Sequence, residues 1–510
     1  MPNLSKNSSK SIFLFVLTGF CVILGISLRF SHIRIHVYWH DEVYTILRAF
    51  GTTTDEFKTE IFDGKIRNVQ ELQLYQKYNS QKTIGDSLRA LSFNPEHSPL
   101  YYLLVRFIAP YFDPPVAGAR ILSAFISLLL FPATYLIAKE LFPQSKSAPL
   151  IALCLTALSP IQILYAREAR QYVLYEVLIL FTTFQFLNAC RNDRGWRWYG
   201  VALIFGLYTH LLFGLLILAH AFMIGIDKHC RSKWQNFLKS VVVSMVCFSP
   251  WIWVVCKHMT ELKKYTAWMH VPLPLDFMVL RWGEHFYHIL FDLPDIPILK
   301  WISIPLLLIC FLFTLKKSNR QSALILGLTI SVNILFLIVP DLVVGGQRSM
   351  EVRYFLPALL FLQLCTVFFF SNLMEGSRHM QWIGFMMIVG LFVGSSIFGY
   401  RYINTDTWWN KNVSSNNPTV ARYINSRSNP LVITKIRANT PGEVLSLSYR
   451  VDPKTMFLTL SADQAATTIP KGYDIFLFRP STELEEQLRY RYNLAPVAET
   501  KDMLWMASDL

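Results

Sequence analysis

The sequence predicts an α-helical polytopic membrane protein with about eleven transmembrane helices, interfacial helices on the outer side and a small C-terminal α/β soluble domain. Three observations predict this class. Hydrophobic residues make up 53% of the 510 residues and charged residues only 16%, against about a quarter in soluble proteins. Apolar runs long enough to cross a bilayer recur up to about residue 400. After that point, short runs of strand and helix type replace them.

The spans are identified from apolar runs that contain few charged residues. The first run follows Lys10 and continues into Arg29 without a small-residue cleavage site, so we expect an uncleaved membrane span and not a removed signal peptide. With the usual length of about 20 residues per span, the predicted spans lie near residues 11–30, 118–138, 148–165, 171–190, 198–209, 211–226, 238–256, 299–315, 321–339, 354–371 and 381–399.

Two segments leave alternatives open. Residues 198–226 form either one long span or two short ones, and two short spans keep the basic segment 228–239 on the same side as the other basic loops. Residues 99–112 are apolar but too short to cross a bilayer, so we expect a helix that lies in the outer interface. The stretches Val43–Phe50 and Ile84–Leu91 have the amphipathic pattern of further surface helices.

The distribution of Lys and Arg predicts the sidedness. Short basic loops face the cytoplasm, and with a cytoplasmic N-terminus this holds for residues 139–146, 191–197, 228–239, 316–320 and 375–378. The same loops account for the net charge of +14 without a nucleic-acid partner. The outer side then receives residues 31–117, 257–298, 340–353 and 400–510. The loop 257–298 is rich in Trp, Tyr and His and forms either an interfacial belt or a substrate-covering lid.

The C-terminal segment predicts a second domain, with residues 1–400 as the membrane domain and 401–510 as an outer domain. A polar, linker-like stretch at 412–418 precedes the predicted elements. The pattern predicts helices at Thr419–Arg427 and Thr482–Tyr492 and strands at Leu431–Ile436, Val444–Arg450, Met456–Leu460, Asp474–Phe478 and Met503–Ala507. This segment has no phosphate-binding glycine motif, so we expect a docking or covering role. The eight cysteines lie in or beside spans or inner loops and show neither a disulfide framework nor a Cys-His metal spacing.

Two acidic groups stand at the ends of spans, where a carboxylate close to hydrocarbon is costly and marks a candidate functional site. The first is the pair Asp41-Glu42, and the second is Glu168 in the run Tyr165-Ala-Arg-Glu-Ala-Arg-Gln-Tyr172. The plainer interpretation is that these residues only mark helix ends in the headgroup region. His97 follows in a His-Ser-Pro turn ahead of the expected interfacial helix, and a histidine beside proline is more often a turn residue than a ligand.

Several motifs in fixed order carry a family resemblance. They are Asp41-Glu42, His97-Ser-Pro-Leu-Tyr-Tyr-Leu-Leu104, Ala119-Arg-Ile-Leu-Ser-Ala124, Ser159-Pro-Ile-Gln-Ile-Leu-Tyr-Ala-Arg-Glu-Ala-Arg-Gln-Tyr172, Tyr208-Thr-His210 and Val352-Arg-Tyr-Phe-Leu-Pro357. Together the motifs resemble the GT-C superfamily of membrane glycosyltransferases, especially the bacterial relatives of protein O-mannosyltransferases and of the aminoarabinose transferases of lipid A. The resemblance covers about residues 11–400, and Ser98 departs from the proline that is usual in the family.

The resemblance implies an inverting glycosyltransferase that moves a sugar from a polyprenyl-phosphate donor to an acceptor hydroxyl on the outer face of the membrane. It also implies that this membrane is a bacterial inner or plasma membrane. The acceptor is a lipid, a glycan or a protein. Asp41 matches the family's catalytic aspartate, which accepts the proton of the attacking hydroxyl, and Glu168 matches its second acidic position. Glu42 is the remaining catalytic candidate. We expect Asp41, Glu168 and Arg353 to converge on one outward cavity.

The donor phosphate requires cationic partners. Arg353 matches the family's arginine before tyrosine, and Arg348 and Arg170 are further phosphate-binding candidates because arginine grips phosphate oxygens bidentately. Snorkelling at a helix end is the simpler explanation for Arg348 and Arg353. Further residues of the candidate site are His97, Tyr172 and His210. A divalent metal ion held by Asp41 and Glu168 is a tentative cofactor, since hard cations prefer oxygen ligands; His97 would suit a transition metal better.

Two other classes of function remain as alternatives. A polytopic transporter or lipid flippase would bury charges within its spans and repeat its halves; Glu176 is the clearest acidic residue that falls within a span, and the halves do not repeat. A non-catalytic scaffold would need only a plain membrane anchor. A lateral opening toward lipid at the acidic residues would favour transfer, and a continuous pathway across the membrane would favour transport.

Overall fold

The computed structural model describes residues 3–466 and 469–509. The chain divides into two compact units. The helical unit contains Met1–Ser31, Asn94–Tyr101 and Ser123–Ile403. The α/β unit contains His32–Phe93, Tyr102–Leu122 and Asn404–Leu510. The α/β unit therefore draws on the predicted outer loop as well as on the C-terminal segment, whereas the division at 400/401 into two domains stays a prediction.

Long apolar helices dominate the described residues, as the sequence predicts. Eight of them are long and apolar enough to cross a membrane: Ile12–Phe30, Pro115–Leu141, Tyr172–Asn192, Trp234–Lys257, Ile298–Lys317, Arg320–Val343, Val352–Glu375 and Arg378–Ile403. A ninth candidate is the pair Ala148–Leu158 and Pro160–Ala166, which is bent by 61°. The bend falls where Ser159 is extended and Pro160 starts the second helix, because proline lacks the N–H that would continue the first.

The segment 198–226 follows the two-helix alternative. The helix Trp196–Thr209 ends at His210, whose backbone is extended, and the apolar helix Leu211–Ile226 follows. The His210 ring caps this second helix, because its Nδ1 atom accepts a hydrogen bond from the Leu212 amide at 3.2 Å. Gly206 permits the tight break, since a Cβ atom there would lie 2.3 Å from the Phe213 ring. Both helices are shorter than the about 20 residues that usually cross a bilayer.

The three predicted surface segments are helical. Residues 99–112 form Leu100–Ile108 and a 3₁₀ turn at Ala109–Tyr111, and the other two form His40–Ala49 and Ile84–Ser92. Thr83 starts the last of these helices, since its side chain accepts from the Asp86 amide and the Asp86 carboxylate accepts from the Thr83 amide. Their position in a membrane interface stays a prediction.

The α/β unit is built on a six-stranded sheet with the order β1-β3-β2-β4-β6-β5. The strands are β1 Ile66–Asn68, β2 Pro430–Lys435, β3 Met456–Leu460, β4 Asp474–Phe478, β5 Tyr492–Pro496 and β6 Leu504–Asp509. The central strands β3, β2 and β4 are parallel, and the outer strands pair antiparallel. β2 is buried along its whole length, as expected for a strand covered on both faces.

The C-terminal predictions are confirmed in part. The predicted strands at 431–436, 456–460, 474–478 and 503–507 are present, and so are the two predicted helices, as Asn417–Asn425 and Thr482–Arg489. The predicted strand Val444–Arg450 is wrong: Thr440–Ser448 is a helix, started by Pro441 and buried on every side. The alternation of apolar and small polar residues resembles that of a strand. A helix that is buried on every side lacks the polar face that would have identified it. The linker-like stretch 412–418 contains the end of the 3₁₀ helix Trp409–Ser414 and the start of the helix Asn417–Asn425, and Lys411 is buried in the 3₁₀ helix.

Three further helices lie in segments for which the sequence predicts an outer position. Thr54–Ile61 and Val69–Gln73 belong to the α/β unit, and Leu275–Tyr287 belongs to the helical unit. The segment around Leu275–Tyr287 is tied to the residues before Arg353. The Trp282 indole donates to the Ser349 hydroxyl at 3.0 Å, and the His285 Nε2 atom lies 3.0 Å from the Ser349 carbonyl oxygen.

Candidate active site

The first acidic pair opens the helix His40–Ala49. Trp39 is the N-cap, and Asp41 and Glu42 lie in the first turn, where carboxylates are favoured by the helix dipole. The Trp39 amide donates to the Glu42 carboxylate at 3.3 Å, which satisfies one of the amides that a helix start leaves open. The two carboxylates differ in exposure. The Glu42 side chain is fully buried, whereas 19% of the Asp41 side chain is exposed.

Glu42 is the anion of a buried ion network. The Arg120 guanidinium meets its carboxylate through two hydrogen bonds, of 2.7 Å from Nε and 2.6 Å from Nη2. The Lys411 Nζ atom lies 3.4 Å from the same carboxylate. Neither cation exposes more than 1% of its side chain. A carboxylate that two buried cations hold in this way stabilises the fold around the helix start, and it is less accessible to a reacting group than its neighbour Asp41.

Arg120 also fixes the chain that enters the helix. Its guanidinium donates to the carbonyl oxygens of Ile33, His36 and Val37 at 2.8 to 3.0 Å, and it lies 4.4 Å from the centre of the Tyr38 ring. Burial raises the pKa of the Tyr38 phenol, and the positive charge of Arg120 opposes that rise. Sequence reasoning placed this arginine in a family motif and assigned it no role. The available signal was a single arginine at the start of an apolar span, which needs an anionic partner.

Asp41 has a histidine as its immediate neighbour. The His40 Nε2 atom lies 3.1 Å from the Asp41 Oδ1 atom, and the Thr45 hydroxyl donates to the Asp41 carbonyl oxygen at 3.0 Å. The imidazole therefore restricts the orientation of the carboxylate. With its partial exposure, Asp41 is the carboxylate of the pair that a reacting group can approach.

The second acidic position lies in the helical unit, at the break between Pro160–Ala166 and Tyr172–Asn192. Arg167, Glu168 and Arg170 are all at least 98% buried there. Arg167 is a structural tether, because it donates to the carbonyl oxygens of Leu28 and Ser31 at 2.5 and 2.6 Å. The two arginines of this run thus have different partners. Arg167 binds backbone carbonyl groups at the end of the first apolar helix, whereas Arg170 contacts the Tyr172 ring.

Arg170 and Arg353 meet at one tyrosine ring. The Arg170 guanidinium carbon lies 5.7 Å from the centre of the Tyr172 ring, and its Nη2 atom lies 3.5 Å from the phenol oxygen. The Arg353 guanidinium carbon lies 5.9 Å from the same ring and 5.7 Å from that of Tyr354. Glu351 pairs with the Nε side of Arg353 at 3.2 Å, which orients its guanidinium. Four residues from two distant parts of the chain thus form an arginine–aromatic cluster.

His210 and Tyr165 extend this cluster. The centre of the His210 ring lies 6.1 Å from that of Tyr172 and 6.3 Å from that of Tyr354, and it stacks on Tyr175 at 4.7 Å. Tyr165 packs edge-on against Tyr172 at 5.2 Å. Both residues lie within electrostatic range of Arg353, and Tyr165 also lies within range of Glu168. The structure therefore brings together four predicted site residues, Arg170, Tyr172, His210 and Arg353, with Glu168 nearby.

Two other predicted site residues have different surroundings. The Arg348 guanidinium pairs with the buried Asp341 carboxylate at 2.9 Å and contacts the His270 ring. This pairing offsets its charge and fits a structural role better than a phosphate-binding one. His97 lies in a turn that begins at Asn94, and its Nε2 atom is 3.5 Å from the Glu96 carboxylate. This contact agrees with the turn interpretation of His97.

A metal ion was a tentative expectation for Asp41 and Glu168. Both are oxygen ligands of the type that hard cations prefer. Among residues 3–466 and 469–509, however, no group of three or more His, Cys, Asp or Glu side chains is arranged to hold a metal ion. The described residues thus do not supply a complete protein site, and we derive no step through a metal.

The chain is similar in sequence and in fold to known proteins. Residues 96–253 match the dolichyl-phosphate-mannose-protein mannosyltransferase family. A search of the curated proteins gives no match. The structure is similar to ArnT from Cupriavidus metallidurans bound to undecaprenyl phosphate, with a TM-score of 0.53, 12% identity, and coverage of 97% of this chain and 98% of ArnT.

A second similar structure is the Archaeoglobus fulgidus oligosaccharyltransferase in complex with Zn and sulfate, with a TM-score of 0.50 and 10% identity over 94% of this chain and 72% of that one. The same archaeal enzyme tethered to an acceptor peptide gives a TM-score of 0.51 at 11% identity, over 95% and 69% of the two chains. The fold is therefore that of the GT-C membrane glycosyltransferases, as the resemblance in the sequence predicts. The segment 96–253, which matches the mannosyltransferase family, contains Arg120, Glu168, Arg170 and Tyr172.

Proposed function

We propose that this chain is an inverting glycosyltransferase that moves a sugar from a polyprenyl-phosphate donor to an acceptor hydroxyl at the outer face of the membrane. The observation that carries the proposal is the arginine–aromatic cluster, with Arg170 and Arg353 directed at Tyr172 inside a GT-C fold. The family match and the ArnT structure that is bound to undecaprenyl phosphate support a lipid-linked donor.

The cluster suits the leaving group of this reaction. Transfer breaks the bond between the anomeric carbon and the phosphate oxygen, so negative charge develops on the phosphate. Two guanidinium groups held at fixed distance from one ring are preorganised for that charge, and such preorganisation is a main source of catalysis. Arg170 is 98% buried, and burial strengthens its attraction to an anion.

Asp41 is the proposed general base. The acceptor hydroxyl attacks the anomeric carbon from the face opposite the phosphate, and its proton passes to the Asp41 carboxylate. Glu42 is the less suitable base because Arg120 and Lys411 already hold its carboxylate at 2.6 to 3.4 Å. The convergence of Asp41, Glu168 and Arg353 in one cavity stays a prediction of the sequence.

The test follows release of polyprenyl phosphate, which is the same product for every acceptor. Purified full-length protein in nanodiscs is incubated with undecaprenyl-phosphate sugars and an envelope extract, and undecaprenyl phosphate is quantified by mass spectrometry. Asp41→Asn keeps the size of the side chain and removes the base, so turnover should fall by about 10²-fold or more. The reaction is repeated with EDTA and with added Mn²⁺, Mg²⁺ or Zn²⁺, which tests the tentative metal role of Asp41 and Glu168.

The donor side is tested with Arg353→Ala. Loss of a desolvated charge partner costs about 2–5 kcal/mol, so kcat/KM for the donor should fall by more than about tenfold. The matched control is Arg401→Ala, because Arg401, like Arg353, lies near one end of a long apolar helical segment and is paired with a carboxylate. Its partner is Asp295, at 2.7 Å. Equal kinetics for both variants would identify Arg353 as a snorkelling residue. A protein that moves the lipid-linked sugar across vesicles and releases no undecaprenyl phosphate would instead be the transporter or flippase.

A further inference from the structure

The C-terminal segment contributes charged residues to the start of the Asp41 helix. Lys411, from the 3₁₀ helix Trp409–Ser414, places its Nζ atom 3.4 Å from the Glu42 carboxylate. Its side chain is 1% exposed. A buried lysine is costly unless an anion compensates it. Glu42 is thus held from both sides: Arg120 comes from an earlier part of the chain and Lys411 from the C-terminal segment.

A second buried residue of the same segment, Glu443, lies beside His40. The Glu443 Oε1 atom is 3.9 Å from the His40 Nδ1 atom, and the Glu443 side chain is fully buried. Ser414 joins the two residues, because its hydroxyl donates to Glu443 and accepts from the His40 amide at 3.0 Å. The second ring nitrogen of His40, Nε2, lies 3.1 Å from the Asp41 Oδ1 atom, so the imidazole stands between the Glu443 and Asp41 carboxylates.

The backbone at Gly442 packs tightly against the start of the helix His40–Ala49. Gly442 lies against the helix start, and a Cβ atom there would be 2.8 Å from the His40 Cβ atom and 2.9 Å from the Tyr44 ring. The helix Thr440–Ser448, which carries Gly442 and Glu443, is buried on every side. The close backbone approach restricts the space around His40, and the buried Glu443 carboxylate faces its Nδ1 atom at 3.9 Å.

We propose that Lys411 and Glu443 are positioning residues for Asp41, so that the C-terminal segment is a working part of the active site and not only a cover. Lys411 fixes the first turn of the helix through Glu42, and Glu443 fixes His40, which in turn orients the Asp41 carboxylate. This inference rests on the proposed function, in which Asp41 is the general base. It predicts that the rate of the chemical step depends on the C-terminal segment while donor binding does not.

The test measures kcat and the donor KM of the full-length protein with an undecaprenyl-phosphate sugar. Lys411→Met and Glu443→Gln should each lower kcat by about 10–10²-fold, the effect of misplacing a catalytic group by about 1 Å. The donor KM should stay within about twofold of the wild type. Lys411→Arg keeps the charge and should restore most of kcat. The matched control is Lys435→Met, since Lys435 is also nearly buried in the α/β unit and pairs instead with Glu483 at 2.9 Å.

A variant that keeps every charge separates positioning from folding. Gly442→Ala changes only the approach of the helix Thr440–Ser448 to His40, so it should also lower kcat without a change in donor KM. Binding of undecaprenyl phosphate gives the fraction of folded protein, to which each kcat is normalised.

The outcomes are distinct. If Asp41→Asn is inactive while normalised kcat of Lys411→Met and Glu443→Gln equals that of Lys435→Met, the inference is overturned and the proposed function stands. If Asp41→Asn turns over like the wild type, the assignment of the base fails, and this inference fails with it. A rise in donor KM that accounts for the whole loss in Lys411→Met also overturns the inference, because it places the residue in donor binding.

Discussion

Replacement of Glu42 by glutamine should destabilise the folded protein. The Glu42 carboxylate accepts two hydrogen bonds from Arg120, at 2.6 and 2.7 Å, and lies 3.4 Å from Lys411. All three side chains are at least 99% buried. The amide of Glu42→Gln leaves two buried cations facing a neutral group. Removal of one partner from a buried ion pair costs about 3–5 kcal/mol, because the remaining charge is uncompensated.

This magnitude is a large fraction of the stability of a typical folded domain, about 5–15 kcal/mol. We therefore expect Glu42→Gln to lower the midpoint of thermal unfolding by several degrees and to lower the yield of folded protein. Asp41→Asn is the matched control: its carboxylate is 19% exposed, so its unfolding midpoint should stay close to that of the wild type while its turnover falls.

The assay is thermal unfolding of the full-length protein in nanodiscs, followed by loss of undecaprenyl phosphate binding. The double variant Glu42→Gln/Lys411→Met removes one cation together with the anion, so it should recover part of the midpoint lost in the single variant. An unfolding midpoint of Glu42→Gln equal to that of the wild type would refute the reasoning, because it would show that the buried cations do not need the Glu42 charge.

Two further predictions concern the rest of the fold. The Arg67 guanidinium donates a hydrogen bond to Asp63 and holds the pKa of that carboxyl well below its usual range. The pair therefore stabilises the folded α/β unit above the unfolded pKa of about 3.9, and this contribution is lost as the pH falls through the folded pKa. Asp63→Asn should abolish that part of the acid dependence of unfolding. Gly206→Ala places a Cβ atom 2.3 Å from the Phe213 ring, so it should lower the free energy of unfolding by about 1–3 kcal/mol. The double variant Gly206→Ala/Phe213→Leu removes the clash and should recover part of that loss, measured by thermal unfolding.

The long helices and most of the sheet were predictable from the sequence because their signals are local. Apolar length identified the spans, and the strand-like runs at 431–436, 456–460 and 474–478 are all strands. The helix Thr440–Ser448 was predicted as a strand because complete burial removes the polar face that distinguishes a helix. β1 was missed because a strand of three residues, Ile66–Asn68, carries almost no pattern of its own and exists through its pairing with β3.

The residues of the candidate site also differ in whether a local sequence signal identifies them. Arg170, Tyr172, His210 and Arg353 belong to motifs of a known family, and the structure groups them through ring and guanidinium contacts of 5.7 to 6.1 Å. Lys411 belongs to no motif, and it directly precedes the stretch 412–418 that the sequence predicts to be linker-like. Its role follows only from burial beside Glu42, a residue 369 positions earlier in the chain. Contacts of such separation leave no periodic trace in a single sequence.

The distribution of buried charge changes the expected role of the C-terminal segment. A cover or docking module would meet the rest of the protein through exposed polar residues, since buried charges are costly unless they are paired. Here Lys411 and Glu443 are both buried, and each one approaches a residue of the predicted outer loop, Glu42 or His40. A cut at 400/401 would separate these pairs. The α/β unit therefore depends on both segments, and the acidic pair that the sequence singled out lies where they meet.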